Sequence, residues 1–276
     1  MGTDAAGVSG SVLPGAGNNE PTRSFIIYGV PIFTADDRER LRAELVSAAK
    51  KDPNLCGAAH TGSAASSRLD RWSDIDLVLC VAPAASHEQV VAEWTDRLYH
   101  HGAAAHVDVM HGATLYRVFL LKNTLQVDVS FWRAEDFGAI GPNFRLIFGE
   151  ANPPRPAPQP NPHALMGMAW LYALHVRSSL ERGRILQAEY MLSGMRNQIG
   201  ELTCLRCGVI ASQGRGLDDL PVAERDTAAA CLPRSLEPRE LKRAFQKAMQ
   251  ALLDEIRHVD RELEGRLSGP LRDLAE

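Results

Sequence analysis

The chain of 276 residues has no apolar run near the roughly 18 residues that a membrane-spanning helix requires, so nothing in it reads as a membrane span. Its first twenty residues, Met1 to Glu20, are rich in Gly, Ala and Ser. They have neither a basic start nor a sustained apolar stretch, so they lack the form of a secretory signal and read as a disordered tail. Cysteine is sparse: Cys56, Cys80, Cys204, Cys207 and Cys231. An odd number without a repeating framework argues against a disulfide scaffold and for reduced thiols in a cytoplasmic protein. Cys204 and Cys207 have the spacing of half a zinc site, but no second Cys pair exists to complete it. They read as two small buried residues on one helix face. The nine histidines show no metal-ligand spacing. Aromatic content is only 6% and the net charge is −4. Both argue mildly against a broad nucleic-acid-binding surface, which is normally basic and set with base-stacking aromatics, although a local patch can be basic on an acidic protein. There is no internal repeat.

What is present is an ordinary globular composition, 45% hydrophobic and 23% charged, in a chain long enough for two domains. The sharpest boundary is residues 151–162, where six of twelve residues are proline. Such spacing favours an extended, semi-rigid linker. The resulting division is a tail over 1–23, a first domain over 24–150, the linker, and a second domain over 163–276.

In the first domain, helices are expected over 34–51 and 86–101. Thr34 with Asp37, and Ser86 with Gln89, read as capping boxes. Strands are expected over 55–61, 74–81, 104–110, 114–121 and 124–132, the last two joined as a hairpin at Lys122 and Asn123. This is an α/β (α+β) pattern with a mixed sheet. After the linker the apolar period becomes helical, with helices near 163–182, 185–207 and 236–265 and an irregular segment around Gly214 to Pro221. Leu241, Phe245, Met249, Leu252, Ile256, Val259 and Leu263 make one stripe of the last helix. The second domain therefore reads as an all-α bundle.

The chemistry concentrates between residues 62 and 77. A tight Gly62-Ser63 turn is followed by Asp74-Ile75-Asp76-Leu77 in an apolar run. Side chains alternate along a strand, so Asp74 and Asp76 share one face while Ile75, Leu77 and Leu79 point into a core. Adjacent carboxylates repel unless a cation lies between them. Hard oxygen ligands suit Mg²⁺ or Mn²⁺. The Gly-Ser turn offers backbone N–H groups and a hydroxyl, which suit a phosphate. His60 precedes that turn and reads as a strand residue with a satisfied hydrogen bond.

Gly-Ser, about ten residues, and Asp-hydrophobic-Asp resemble the signature of the nucleotidyltransferase superfamily that includes DNA polymerase beta. That pattern has a third Asp on a later strand, and Asp128, in the alternating run Thr124 to Phe131, matches it. The motif spans residues 55 to 132. Within the superfamily the chain most resembles the small bacterial enzymes that adenylylate aminoglycoside or lincosamide antibiotics, which also join a short catalytic domain to a helical one. One departure stands out. Many relatives carry Arg-Gly where this chain has Ser66-Ser67, and Arg68 or Arg71 could supply the missing charge.

The resemblance implies transfer of AMP from ATP to a hydroxyl of a small acceptor, with release of pyrophosphate. Asp74 and Asp76 would hold the metal with Asp128, and Gly62, Ser63 and Arg68 would bind the nucleotide. A carboxylate of the helical half would help deprotonate the acceptor in a cleft between the domains. Glu189, seven residues from Arg196 on one helix face, is the candidate, with Asp128 as the competing base. An ordinary solvated charge pair is the other reading of Glu189. Tyr190 could stack on the acceptor, although a Tyr among Met and Leu also suits a core. The rival functions are transfer to a protein or RNA, and a non-catalytic antitoxin-like module. A complete Asp set and a helical domain in the same chain argue against the latter.

Overall fold

The computed structural model describes residues 26–27, 30–65, 69–112 and 114–276. The chain divides into two compact units, Met1–Ala157 and Pro158–Glu276.

The first unit is built on a six-stranded sheet in the order β5-β6-β7-β4-β3-β9. The strands are β3 (Leu55–Thr61), β4 (Ile75–Val81), β5 (Ala103–His111), β6 (Thr114–Leu121), β7 (Gln126–Arg133) and β9 (Phe144–Phe148). Only β4 and β7 run parallel; the other neighbours are antiparallel, so the sheet is mixed. Two short pairs lie outside it: β1 (Ile26–Ile27) with β2 (Val30–Pro31), and β8 (Gly138–Ile140) with β10 (Asn152–Arg155).

Helices α1 (Ala35–Lys51) and α3 (His87–His100) lie on one face. They bury Leu41, Leu45 and Ala49 from α1, and Val90, Trp94 and Leu98 from α3, against Ile75, Leu77 and Leu79 of β4. Thr34 and Asp37 close a full capping box, and the Thr34 contacts hold the Asp37 carboxyl below its usual range. Ser86 caps α3, but the Gln89 side chain donates to Glu93 instead of returning to the cap. The opposite sheet face carries a smaller cluster of Ala59, Val78, Cys80, Trp132 and Phe137.

Three features depart from the sequence reading. The Gly62-Ser63 turn opens a four-residue helix, α2 (Gly62–Ala65). Strand β9 extends the sheet beyond β3, although Phe144-Arg145-Leu146-Ile147-Phe148 lacks a clean polar alternation. The expected linker is partly strand, because Asn152 to Arg155 pairs with β8 and the Asn152 side chain donates to the carbonyls of Ala134, Glu135 and Phe137.

The second unit is all-α: α4 (Pro162–Glu181), α5 (Ile185–Cys207), α6 (Val222–Ala230), α7 (Pro238–Val259) and α8 (Arg261–Ala275), with two 3₁₀ turns at Ser212–Gly214 and Leu217–Asp219. Asn161 caps α4, and α5 stops at Gly208, whose φ of +69° is the left-handed C-cap that favours glycine. The expected helix over 236–265 is two helices. Asp260 ends α7 and caps α8 by accepting from the Leu263 N–H. Leu241, Phe245, Met249, Leu252 and Ile256 are buried as the stripe requires, whereas Val259, at the break, is 40% exposed. Cys204 and Cys207 sit within α5 as free thiols. Tyr190 is not a core residue: it is 71% exposed. No helix among the described residues is long and apolar enough to cross a membrane.

Candidate active site

The site is set by the register of two neighbouring strands. Strand β4 lies parallel to β7 with Asp76 opposite Asp128. Asp74 precedes β4 by one residue and returns to the same side as Asp76. The three carboxylates each offer one oxygen, and these atoms lie within 4.8 Å of one another. All three residues are half-buried. Gln126, two residues before Asp128 on β7, donates from Nε2 to Asp128 Oδ1 at 3.0 Å and to Asp74 Oδ2 at 3.4 Å. Three hard carboxylate oxygens at this spacing form a donor set that fits a divalent cation such as Mg²⁺ or Mn²⁺.

The opposite face of the same segment explains why the cluster is rigid. Ile75, Leu77 and Leu79 are essentially inaccessible to solvent. Sliding β4 by one residue would bury Asp76 and expose this row, so the register is strongly specified.

Gly62 enters α2 with φ of +61°. A Cβ at that position would lie 2.0 Å from Asp76 Oδ2. Both the backbone conformation and the close approach require glycine. Ser63 follows in α2, half-buried. Arg68 and the Ser66-Ser67 pair lie outside the described residues. Arg71 lies with its guanidinium carbon 4.9 Å from the ring centre of Trp72, which is 68% exposed.

Two supporting residues escaped the sequence reading. Arg38 is almost wholly buried. It donates to the backbone carbonyls of Asp70 and Ser73, the latter at 3.1 Å, and so ties α1 to the loop that delivers Asp74. Its signal was present: Arg38, Leu41 and Leu45 share one helix face, and a charge on an apolar stripe calls for a buried partner. The loop is further fixed by Asp70, whose Oδ1 accepts from the Trp72 N–H and the Ser73 hydroxyl. Those bonds, the Ser73 one foremost, keep the Asp70 carboxyl below its usual range. Gln126 is the second, marked only by its place two residues from Asp128 in an alternating strand.

His60 is a buried residue of β3 whose ring makes a hydrogen bond to the Asp76 backbone, as expected of a strand histidine, while its Nδ1 has no hydrogen-bond partner among the described residues. Burial pushes its pKa down, so the neutral ring is favoured. Glu189 lies on α5 in the second unit, where its carboxylate accepts from Arg196 Nη2 at 3.1 Å. The structure thus groups Asp74, Asp76 and Asp128 with Gly62 in the first unit and places Glu189 in the second.

No protein-family model matches the sequence, and no curated protein matches it. Among solved structures, the fold is similar to that of an aminoglycoside 6-adenyltransferase from Bacillus subtilis. The two chains are 9% identical, the superposition covers 86% of this chain and 97% of that one, and the TM-score is 0.36.

Proposed function

We propose that this chain is a metal-dependent nucleotidyltransferase that moves AMP from ATP to a hydroxyl of a small molecule and releases pyrophosphate. The observation that carries the reading is the convergence of Asp74, Asp76 and Asp128 within 4.8 Å on one side of the β4–β7 pair. Residues 24–150 would form the catalytic domain, and 163–276 the acceptor-binding domain.

Mg²⁺ or Mn²⁺ held by Asp74, Asp76 and Asp128 would offset the triphosphate charge and acidify the acceptor hydroxyl. Backbone N–H groups at Gly62 and Ser63, with the Ser63 hydroxyl, would bind phosphate oxygens, and Arg68 would add a cation. The acceptor oxygen would attack the α-phosphorus in line, and the bond to the bridging oxygen would break as pyrophosphate leaves. Its proton would pass to Glu189 or to Asp128. The motif resemblance points to an aminoglycoside- or lincosamide-like antibiotic as the acceptor, and reduced thiols suit a cytoplasmic enzyme.

The test is pyrophosphate release from ATP and Mg²⁺ against a panel of aminoglycosides, lincosamides and other polyols. Release should depend on one class of acceptor, and Asp74→Asn and Asp76→Asn should each abolish it while the circular-dichroism spectrum is unchanged. Near wild-type release in either variant would sink the reading.

A further inference from the structure

Cys56 of β3 and Cys80 of β4 meet across two neighbouring strands of the first unit, with their sulfurs 3.1 Å apart. A break in the ladder brings them together. Leu55 opposes Val81 and Gly57 opposes Cys80, so Cys56 is one residue more than the antiparallel register needs. Such a bulge sets two residues of one strand against one of the other and re-aims a side chain. Cys80 lies on the sheet face that carries Ala59, Val78, Trp132 and Phe137. At Gly57 a Cβ would lie 2.8 Å from the Phe137 ring and 3.3 Å from the Cys80 Cβ. Glycine there keeps space open beside Cys80.

The two thiols differ in access. Cys56 is exposed, whereas Cys80 is 2% exposed. An oxidant in solution therefore meets Cys56 and not Cys80. Burial, and after it the contact with Cys56, push the Cys80 thiol up, so it keeps its proton. An exposed cysteine with a second, sheltered thiol beside it is the arrangement in which a first oxidation is captured as a disulfide. A disulfide is about 2.05 Å long, so the bond needs the two sulfurs to close by about 1 Å, a movement that side-chain rotation supplies.

We propose that Cys56 and Cys80 are an oxidation site, at which hydrogen peroxide converts the two thiols into a disulfide across β3 and β4. The Cys56 thiolate attacks one peroxide oxygen and the O–O bond breaks. Cys56 becomes a sulfenic acid, and the other oxygen leaves as hydroxide and takes up a proton. The Cys80 sulfur then attacks the Cys56 sulfur. The S–O bond breaks, the S–S bond forms, and the departing hydroxide takes the Cys80 proton to become water. Two thiols and one peroxide thus give one disulfide and two waters, with the sulfurs oxidised and the peroxide reduced. The bond closes a loop from Cys56 to Cys80 that contains Gly62, Ser63, Asp74 and Asp76. A crosslink of this kind restricts the unfolded chain more than the folded one. The inference is independent of the nucleotidyltransferase reading, since neither thiol belongs to the acidic cluster.

The test uses the full chain, reduced with dithiothreitol, freed of it, and exposed to hydrogen peroxide in small molar excess. Arg68 and Arg71 lie between the two cysteines, so trypsin places them in separate peptides. Digestion after thiol blocking should give a linked Cys56–Cys80 pair, lighter by two hydrogens than the free peptides together, and dithiothreitol should release it. This result is read on the wild type and needs no variant. In Cys80→Ala the linked pair should be lost, and dimedone, which traps sulfenic acid, should label Cys56 at least ~10-fold more than in the wild type. In Cys56→Ala, Cys80 should stay unoxidised under the same exposure. The oxidised wild type should melt higher than the reduced one. Absence of the linked pair, a disulfide formed only between chains, Cys80 oxidised as fast in Cys56→Ala as in the wild type, or an oxidised chain that melts below the reduced one would each overturn the proposal.

Discussion

Gly62 and Asp76 are the most tightly constrained pair in the candidate site. A methyl group at residue 62 would stand 2.0 Å from a carboxylate oxygen of Asp76. Gly62→Ala must therefore displace that carboxylate and also adopt a left-handed backbone, at a cost of about 1–3 kcal/mol. The expected result is a lower melting temperature and at least ~10-fold weaker Mn²⁺ affinity, measured by calorimetry, because one ligand has moved. Unchanged Mn²⁺ affinity would mean that Asp76 is not a ligand. Glu189 calls for a different measurement. If it accepts the proton of the acceptor hydroxyl, Glu189→Gln should lower kcat by roughly 10²–10⁴-fold with little change in the KM for ATP. Its ion pair with Arg196 at 3.1 Å would itself weaken in that variant, so Arg196→Met is the control. A Glu189→Gln enzyme no slower than Arg196→Met would leave Asp128 as the base and Glu189 as a partner of Arg196.

At the scale of elements, the pH dependence of α7 can be argued from one carboxylate. Glu240, in its first turn, accepts both Nε and Nη2 of Arg243 and the backbone N–H of Arg234. These bonds, that of Arg243 foremost, pull its pKa down to about 2. Below the usual glutamate range the unfolded chain binds a proton that the folded chain refuses. The stabilisation is therefore complete above pH 4.5 and is lost as the pH falls toward about 2. Urea midpoints of wild type and Glu240→Gln should differ most at neutral pH and converge near pH 2; a constant gap would remove the linkage. Elements were legible in the sequence where period and caps agreed. Strand β3 (Leu55–Thr61) and helix α5 (Ile185–Cys207) fall where the strand pattern and the helical period place them. Strand β9 and helix α6 were not legible. Phe144 to Phe148 gains its strand character from pairing with β3, a contact more than eighty residues away in sequence. The sequence Val222 to Ala230 has no apolar stripe because α6 buries none of its residues. The break at Asp260 was hidden by an apolar spacing that runs straight through the cap. In the site, the acidic cluster was legible because both strands alternate. The supports were not, since what Arg38 and Gln126 reach depends on neighbours that only the fold supplies.

For the whole molecule, the three carboxylates make nucleotide and metal binding depend on each other. Asp74, Asp76 and Asp128 place up to three negative charges within 4.8 Å. A triphosphate brought to that surface without a cation meets the same sign of charge, at an energy of about 4 kcal/mol per pair at 4 Å and an effective dielectric constant near 20. With Mg²⁺ or Mn²⁺ the sign of the interaction reverses. Ligand binding stabilises the native state by mass action, by about 2.7 kcal/mol at a hundredfold excess over Kd. ATP should therefore raise the melting temperature only when the divalent ion is present. The metal alone should also raise it, because it relieves the repulsion within the cluster. Asp74→Asn and Asp76→Asn should reverse the pattern: the metal-free variants should melt higher than wild type, and metal plus ATP should add little. Chelator is the discriminating condition. Equal stabilisation by ATP in excess chelator would place the nucleotide somewhere other than the acidic cluster. A metal-free wild type that melts above both variants would show that the carboxylates are held by contacts strong enough to outweigh their repulsion, and the argument for a bound cation would fall with it.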